Sequence, residues 1–117
     1  MKVETARVYD DLGNRATRAV LVDRLWPRGL AKAHAPFSIW MKDIAPSTEL
    51  RKWYGHAPER FEEFARRYRE ELGQSPAREA LEDLRAQAGE NDITLVTATK
   101  QVDLSAAAVL REILART

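Results

Sequence analysis

The chain has 117 residues, of which 44% are hydrophobic and 32% charged, so it can bury one hydrophobic core but is too short for two. Its 19 Lys and Arg residues against 18 Asp and Glu residues give a net charge of +1, which excludes a global field that attracts nucleic acid or anionic membranes. The absence of cysteine excludes disulfides and thiolate chemistry, and no apolar run approaches the roughly 20 residues that span a bilayer. We therefore expect a cytoplasmic protein with a single domain over residues 1–117.

Two strands are predicted in the first part of the chain. Residues Thr5–Tyr9 form a short run with β-branched and aromatic side chains, and the Asp, Gly and Asn residues that follow favour a turn. Residues Ala19–Val22 are apolar without alternation, which is typical of a strand covered on both faces. The segment Leu30–Pro46 has no regular pattern, and we expect it to be irregular.

Helical patterns fill the middle of the chain. The predicted helices are Thr48–Tyr54, Pro58–Leu72 and a third from Pro76 to near Gly89. Ser47 and Ser75 stand where N-caps of the first and third helices belong. Gly55 and Gly73 can take the left-handed conformation that ends a helix.

A second apolar run, Ile93–Ala98, predicts another core strand, and a last helix is predicted from about Ser105 to Ala115. A strand, helices and a second strand form a crossover unit, which joins parallel neighbours in a sheet. The predicted fold class is α/β: one small domain with a short, mostly parallel central sheet flanked by helices. An antiparallel first strand is left open as an option.

The exits of the two predicted core strands are the best candidates for a functional site, because open α/β sheets bind ligands beyond the carboxyl ends of their strands. The residues there that could bind an anion are Asp23, Arg24, Trp26, Arg28 and Lys100. The planar guanidinium of arginine suits carboxylate and phosphate, and free N–H groups at the start of the last helix would add to an anion site. In the alternative interpretation, Asp23 pairs with an arginine, Trp26 is a core residue and the Pro-Arg-Gly sequence is only a turn.

The chain resembles a known family in several ordered segments. They are Arg7–Asp10, Val20–Gly29, Lys42 with Ala45-Pro46-Ser47, Glu49–Trp53, Gly55-His56 and Phe64–Leu72. The chain is similar there to the YeaO-like family of small bacterial proteins, domain of unknown function 488, and the Asp-Arg-Leu-Trp-Pro-Arg-Gly run is highly specific for it. With this resemblance, Lys42, Arg51 and His56 join the candidate ligand-binding residues.

The chain departs from the family pattern near its end. The family typically has Ala-Ala-Lys-Asp after the last core strand and Asn-His-Ala at the start of the final helix. Here Gln101 takes the place of the acid and Ala106 that of the histidine. If those groups are catalytic in the family, this chain has lost or altered the chemistry while keeping an anion-binding pocket; if they are structural, nothing follows.

No metal or cofactor is expected. The chain has two histidines and no metal-ligand spacing, and it lacks the sequence fingerprints of P-loops, dinucleotide sites and hydrolase elbows. Of the two histidines, His56 is a weak candidate for the site, and His34 is expected at the surface.

Three functions remain open at this point. The first is a pocket that binds or acts on a small phosphate- or carboxylate-bearing ligand. A nucleic-acid-binding regulator is less favoured, because the helices mix acids and bases. The third is a protein-interaction module that uses Trp40, Trp53 or Tyr54, although a core role is the simpler interpretation of these aromatic residues. The sequence does not indicate an oligomeric state.

Overall fold

A computed structural model describes residues 2–89 and 91–116, except for the side chains of residues 16 and 17. Within these ranges the order of strands and α-helices is β1 (Val3–Arg7), β2 (Ala19–Leu21), β3 (Ile39–Trp40), α1 (Thr48–Tyr54), α2 (Phe61–Glu71), α3 (Ala77–Ala88), β4 (Ile93–Thr97) and α4 (Ala106–Ala115). The sheet has the strand order β1-β4-β2-β3, and its described strands all pair in parallel. The predicted α/β class is confirmed.

The two predicted core strands are neighbours at the centre of the sheet. Val20 of β2 pairs with Leu95 of β4, and Leu21 pairs with Val96. The residues of both strands are buried, as their mainly apolar sequences predict. Because β2 and β4 are parallel, the chain leaves both of them at the same edge of the sheet.

The first strand differs from its prediction in position, and its direction decides the option that the sequence left open. It spans Val3–Arg7 rather than Thr5–Tyr9, and it pairs with β4 in parallel, so the antiparallel option was wrong. Pairing starts at Val3 opposite Ile93 and ends at Arg7, where the Asp10 N–H donates to the Arg7 carbonyl (3.0 Å) and closes a turn. The turn places Tyr9 outside the sheet with 47% of its surface exposed.

The expectation of an irregular Leu30–Pro46 segment was wrong at one point, because it contains the edge strand β3. Ile39 and Trp40 pair with β2, and the flanking N–H groups of Ser38 and Met41 donate to β2 carbonyls at 3.0 and 2.9 Å. Two paired residues are too few to give a sequence pattern.

The helices follow their predictions closely. α1 has the predicted bounds, its cap Ser47 accepts from the Leu50 N–H (3.1 Å), and Gly55 ends it with a φ of 55°. A 3₁₀ turn, Pro58–Arg60, precedes α2 in place of its first predicted turn. Ser75 does not cap α3, which begins at Ala77, and its hydroxyl donates to the Glu79 carboxylate instead.

The sheet separates two hydrophobic clusters. All four helices contribute to the larger cluster, together with Val20, Val22 and Leu95. The smaller cluster lies against the other face, where Leu21 and Val96 contact residues from loops, such as Leu12 and Phe37. Among the described residues, no helix is long and apolar enough to cross a membrane.

Candidate functional site

A cavity of about 600 Å³ lies at the edge of the sheet where β2 and β4 end. Its walls are residues 22–28, residues 45 and 46, parts of α1 and α2, residues 97–99 and the start of α4. Large apolar side chains cover much of this surface: Leu25, Trp26, Tyr54, Phe64 and Leu104. The convergence of the two strand exits predicted from the sequence is therefore present.

Asp23 follows β2 and bridges to the end of β4. Its two carboxylate oxygens accept hydrogen bonds from the Thr97 hydroxyl (2.7 Å) and the Ala98 N–H (2.8 Å), and its carbonyl accepts from the Trp40 indole (2.7 Å). Burial raises the pKa of Asp23 above its ordinary value, while the Ala98 and Thr97 hydrogen bonds and the nearby His56 act in the opposite direction. Asp23 is thus a fixed, half-buried carboxyl group on the cavity surface.

Arg24 lines the cavity but is bonded within the protein. Its Nε donates to the Pro46 carbonyl (3.2 Å), and its Nη2 donates to the Ala45 carbonyl (3.0 Å). No described acidic residue forms an ion pair with it. Arg24 therefore fixes the chain before α1, and its role as a ligand-binding residue stays a prediction.

The segment before α1 is held by α2 as well. Glu71 accepts from the Ser47 N–H (2.8 Å) and from the Ser47 hydroxyl (2.6 Å), and the Tyr68 hydroxyl donates to the Ile44 carbonyl (2.5 Å). Together with the two hydrogen bonds from Arg24, these bonds hold each of the residues 44–47 in place. They set the position of α1, which brings Arg51 to the cavity.

Trp26 is both a packing residue and part of the cavity surface. Its ring packs edge-on against Phe37 and Trp40, with both centroid distances 5.4 Å, and its indole N–H donates to the Leu30 carbonyl (2.7 Å). The prediction that Trp26 lines the site and the alternative that it packs in the interior are therefore compatible.

Arg28 and Arg51 are the two cavity-lining arginines whose guanidinium groups have no hydrogen bond or ion pair to any described residue. Both side chains are exposed to solvent at the cavity. The hydrogen bond at Arg28 is made by its carbonyl, which accepts from the Tyr9 hydroxyl (2.9 Å) and so fixes the backbone of the loop. His56 also lines the cavity and has a left-handed φ of 57° directly after Gly55.

The start of α4 completes the cavity. Ser105 stands at the N-cap position, but its side chain accepts no N–H of this helix, and its hydroxyl donates to the Val102 carbonyl (2.6 Å). In α4 the Ala108 N–H donates to the Ser105 carbonyl (3.1 Å). The two N–H groups before it, those of Ala106 and Ala107, have no hydrogen-bond partner among the described residues. Ala106 lines the cavity at the position where the resembled family has a histidine, whereas Gln101 is exposed and is not part of this surface.

Two predicted site residues lie apart from the cavity surface. The Lys42 ammonium lies over the Trp40 ring, 4.3 Å from its centroid, next to a different depression that also includes Asp43 and Asp83. Lys100 is exposed, and the cavity surface does not include it. The cavity brings together Asp23, Arg24, Trp26, Arg28, Arg51 and His56.

Some residues of the site were not predicted. Thr97 fixes Asp23, and Tyr54 forms part of the cavity through a ring that stacks on Phe64 (centroids 4.2 Å apart) and a hydroxyl that donates to the Leu104 carbonyl (2.6 Å). Thr97 is the last residue of β4, so its hydroxyl at a strand exit is the signal that could have identified it.

Comparison with known proteins gives a family match over nearly the whole chain. The family model described as "Inactive DUF488-N3 subclade" matches residues 2–117. The uncharacterized proteins Rv3073c of Mycobacterium tuberculosis and Mb3100c of Mycobacterium bovis are each 51% identical to the chain over 113 residues, which cover 97% of this chain and 93% of theirs. The uncharacterized protein YeaO of Escherichia coli is 40% identical over 74 residues, covering 63% of this chain and 64% of YeaO.

No solved structure matches the chain. The family model and the relatives nevertheless agree with the resemblance seen in the sequence. The chain belongs to the YeaO-like DUF488 family, within the subclade that the matching model describes as inactive.

Proposed function

We propose that the cavity binds a small ligand with a phosphate or carboxylate group and does not transform it. The observation that carries the proposal is the pair Arg28 and Arg51, which line one cavity and lack internal partners among the described residues. Guanidinium groups bind phosphate and carboxylate through two parallel hydrogen bonds.

The size and surface of the cavity support a small-molecule ligand. A volume of about 600 Å³ falls within the roughly 300–1,000 Å³ of typical ligand pockets, which combine an apolar surface with a few polar groups. The free N–H of Ala106 adds a donor at the positive end of the α4 dipole. An anion in the cavity would have both types of donor available.

Binding without catalysis is supported by the two late positions in the sequence. The histidine that the family places at the start of the last helix is Ala106 here, on the cavity surface, and the acid is Gln101. The description of the matching subclade as inactive agrees with the loss of these groups. The arginines and Asp23 remain, so the features for recognition are kept.

The test is thermal unfolding with phenyl phosphate and with benzoate. At about a hundred times its dissociation constant, a ligand that binds only the folded state raises the free energy of unfolding by about 2.7 kcal/mol. Arg28→Ala and Arg51→Ala should each weaken binding at least tenfold, whereas Arg85→Ala, an exposed arginine of α3 outside the cavity, should leave it unchanged. No stabilisation by either compound, or equal loss in all three variants, would contradict the proposal.

The alternative functions have less support. Tyr54 is buried, and Trp40 and Trp53 are half-buried, so these three residues form no exposed aromatic surface. The arginines of α2 are all paired with acids: Arg66 and Arg67 with acids of the same helix and Arg69 with Glu112 of α4 (3.2 Å), which leaves no unbalanced basic face on this helix. Nucleic-acid binding and a cytoplasmic location stay predictions from the sequence.

A further inference from the structure

Asp23 has hydrogen-bonding capacity that the protein leaves unused. Each of its carboxylate oxygens accepts one hydrogen bond, from the Thr97 hydroxyl and the Ala98 N–H. An ionised carboxylate offers about four acceptor sites, so about two remain. Because both internal partners are donors, they favour the ionised form, which can only accept.

The surroundings of Asp23 make an unpaired carboxylate costly when a ligand covers it. No described Lys or Arg forms an ion pair with it, and the cavity surface next to it is largely apolar. Asp23 is only half-buried, and a ligand in the cavity would exclude solvent from its exposed part. A ligand with nothing to donate would leave a charged acceptor desolvated, which costs more than losing a neutral hydrogen bond.

The cavity therefore presents groups of opposite character. Arg28 and Arg51 offer donors for an anion, Asp23 offers an acceptor, and the half-buried Trp26 lies on the same surface, which Tyr54 and Phe64 line as buried residues. Aromatic side chains favour ring-shaped partners through stacked and edge-on contacts.

We propose that the ligand is an anionic ring compound that also carries a hydroxyl or N–H donor, and that Asp23 binds this donor. The proposal rests on the proposed function above, since it concerns the same cavity. The two arginines alone would bind different anions equally well. Asp23 then selects among these anions the ones that carry a hydrogen-bond donor.

Protein-observed NMR titrations with three kinds of probe test the proposal. The first kind is phenyl phosphate, the second its 3- and 4-hydroxyl derivatives, and the third the matching methoxy compounds, which keep the shape but cannot donate. Benzoate and its hydroxy and methoxy derivatives form a parallel series that distinguishes a carboxylate ligand from a phosphate ligand. The amide of Ala98 is a direct reporter, because it donates to Asp23.

At least one hydroxyl isomer should bind about tenfold more tightly than both the parent and its methoxy analogue, and Asp23→Ala, which removes both acceptor oxygens, should abolish this difference. Tenfold corresponds to about 1.4 kcal/mol. The comparison of probes in the unchanged protein is decisive even if the variant folds poorly.

The other outcomes separate the two proposals. Equal affinities of all probes, with binding still weakened by Arg28→Ala, would overturn the role of Asp23 and leave the proposed function standing. A hydroxyl preference that persists in Asp23→Ala would also overturn it. No binding of any probe would overturn both.

Discussion

Arg24 and Arg28 are separated by three residues and belong to the same family motif, yet the fold uses them differently. Arg24 bonds to the carbonyls of Ala45 and Pro46, whereas the guanidinium of Arg28 has no partner among the described residues. The sequence shows two equivalent arginines, because the partners of Arg24 lie more than 20 residues further along the chain.

The two arginines should differ in their effect on stability. Arg24→Ala leaves two carbonyl groups without donors in a partly buried place and should lower the free energy of unfolding by about 1–3 kcal/mol. Arg28→Ala removes no hydrogen bond or ion pair between the side chain and a described residue, and it should change the free energy of unfolding by less than about 0.5 kcal/mol. Urea denaturation of both variants measures the difference, and equal effects would show that Arg24 does not hold the segment before α1.

Asp23 should make stability depend on pH in an unusual direction for an aspartate. Burial raises its folded pKa above the ordinary 3.8, so the folded state binds the proton more tightly than the unfolded state. Its contribution to stability therefore grows as the pH falls through the folded pKa, is complete below 3.8 and is lost as the pH rises.

Because Asn does not titrate, Asp23→Asn isolates this effect. The free energy of unfolding of the wild type minus that of the variant should increase from about pH 7 to about pH 4, as measured by urea denaturation at each pH. A constant or decreasing difference would contradict the raised pKa.

At the scale of elements, the link between α1 and α2 decides where Arg51 lies. Ser47 uses its hydroxyl twice, as acceptor from the Leu50 N–H and as donor to Glu71. Ser47→Ala should therefore lower the free energy of unfolding by about 1–2 kcal/mol. The same change at Ser75, which precedes α3 without capping it, should cost less than about 0.5 kcal/mol. Denaturant titrations compare the two, and similar losses would refute the special role of Ser47.

The sequence predicted those elements whose signals are local. The α1 helix was found with both ends because Ser47, the helical segment and Gly55 are contiguous, and β2 was found because its residues are buried on both faces. In contrast, β3 exists because β2 offers free backbone groups to Ile39 and Trp40, which is a tertiary property. Ser75 has the residue type of a cap, but the helix starts beyond it.

The candidate site likewise has parts that the sequence predicted and parts that it did not. The convergence of two strand exits followed from the parallel crossover, and six of the eight predicted ligand-binding residues line the cavity. The positions of Lys42 and Lys100 were not predictable in this way. Lys42 lies over Trp40, and that contact depends on an edge strand that the sequence did not reveal.

For the molecule as a whole, the central position of β4 sets the order of stability within the sheet. β4 pairs with strands on both sides and is buried along its length, whereas β3 is a two-residue edge strand. Native-state hydrogen exchange should find the amides of β4 among the most protected, with those near Ile39 and Trp40 exchanging through smaller, local openings. Equal protection of both strands would indicate that the sheet opens only as one unit.

A crystal structure with 4-bromophenyl phosphate tests most directly whether the anion site lies in the cavity at the ends of β2 and β4. The anomalous signal of bromine locates the ring independently of the phosphate. The ring should lie next to Trp26, with the phosphate within hydrogen-bonding distance of Arg28 or Arg51. A bromine site elsewhere, such as the groove between α2 and α4 lined by Arg69 and Arg111, with the cavity at the ends of β2 and β4 unoccupied, would contradict it.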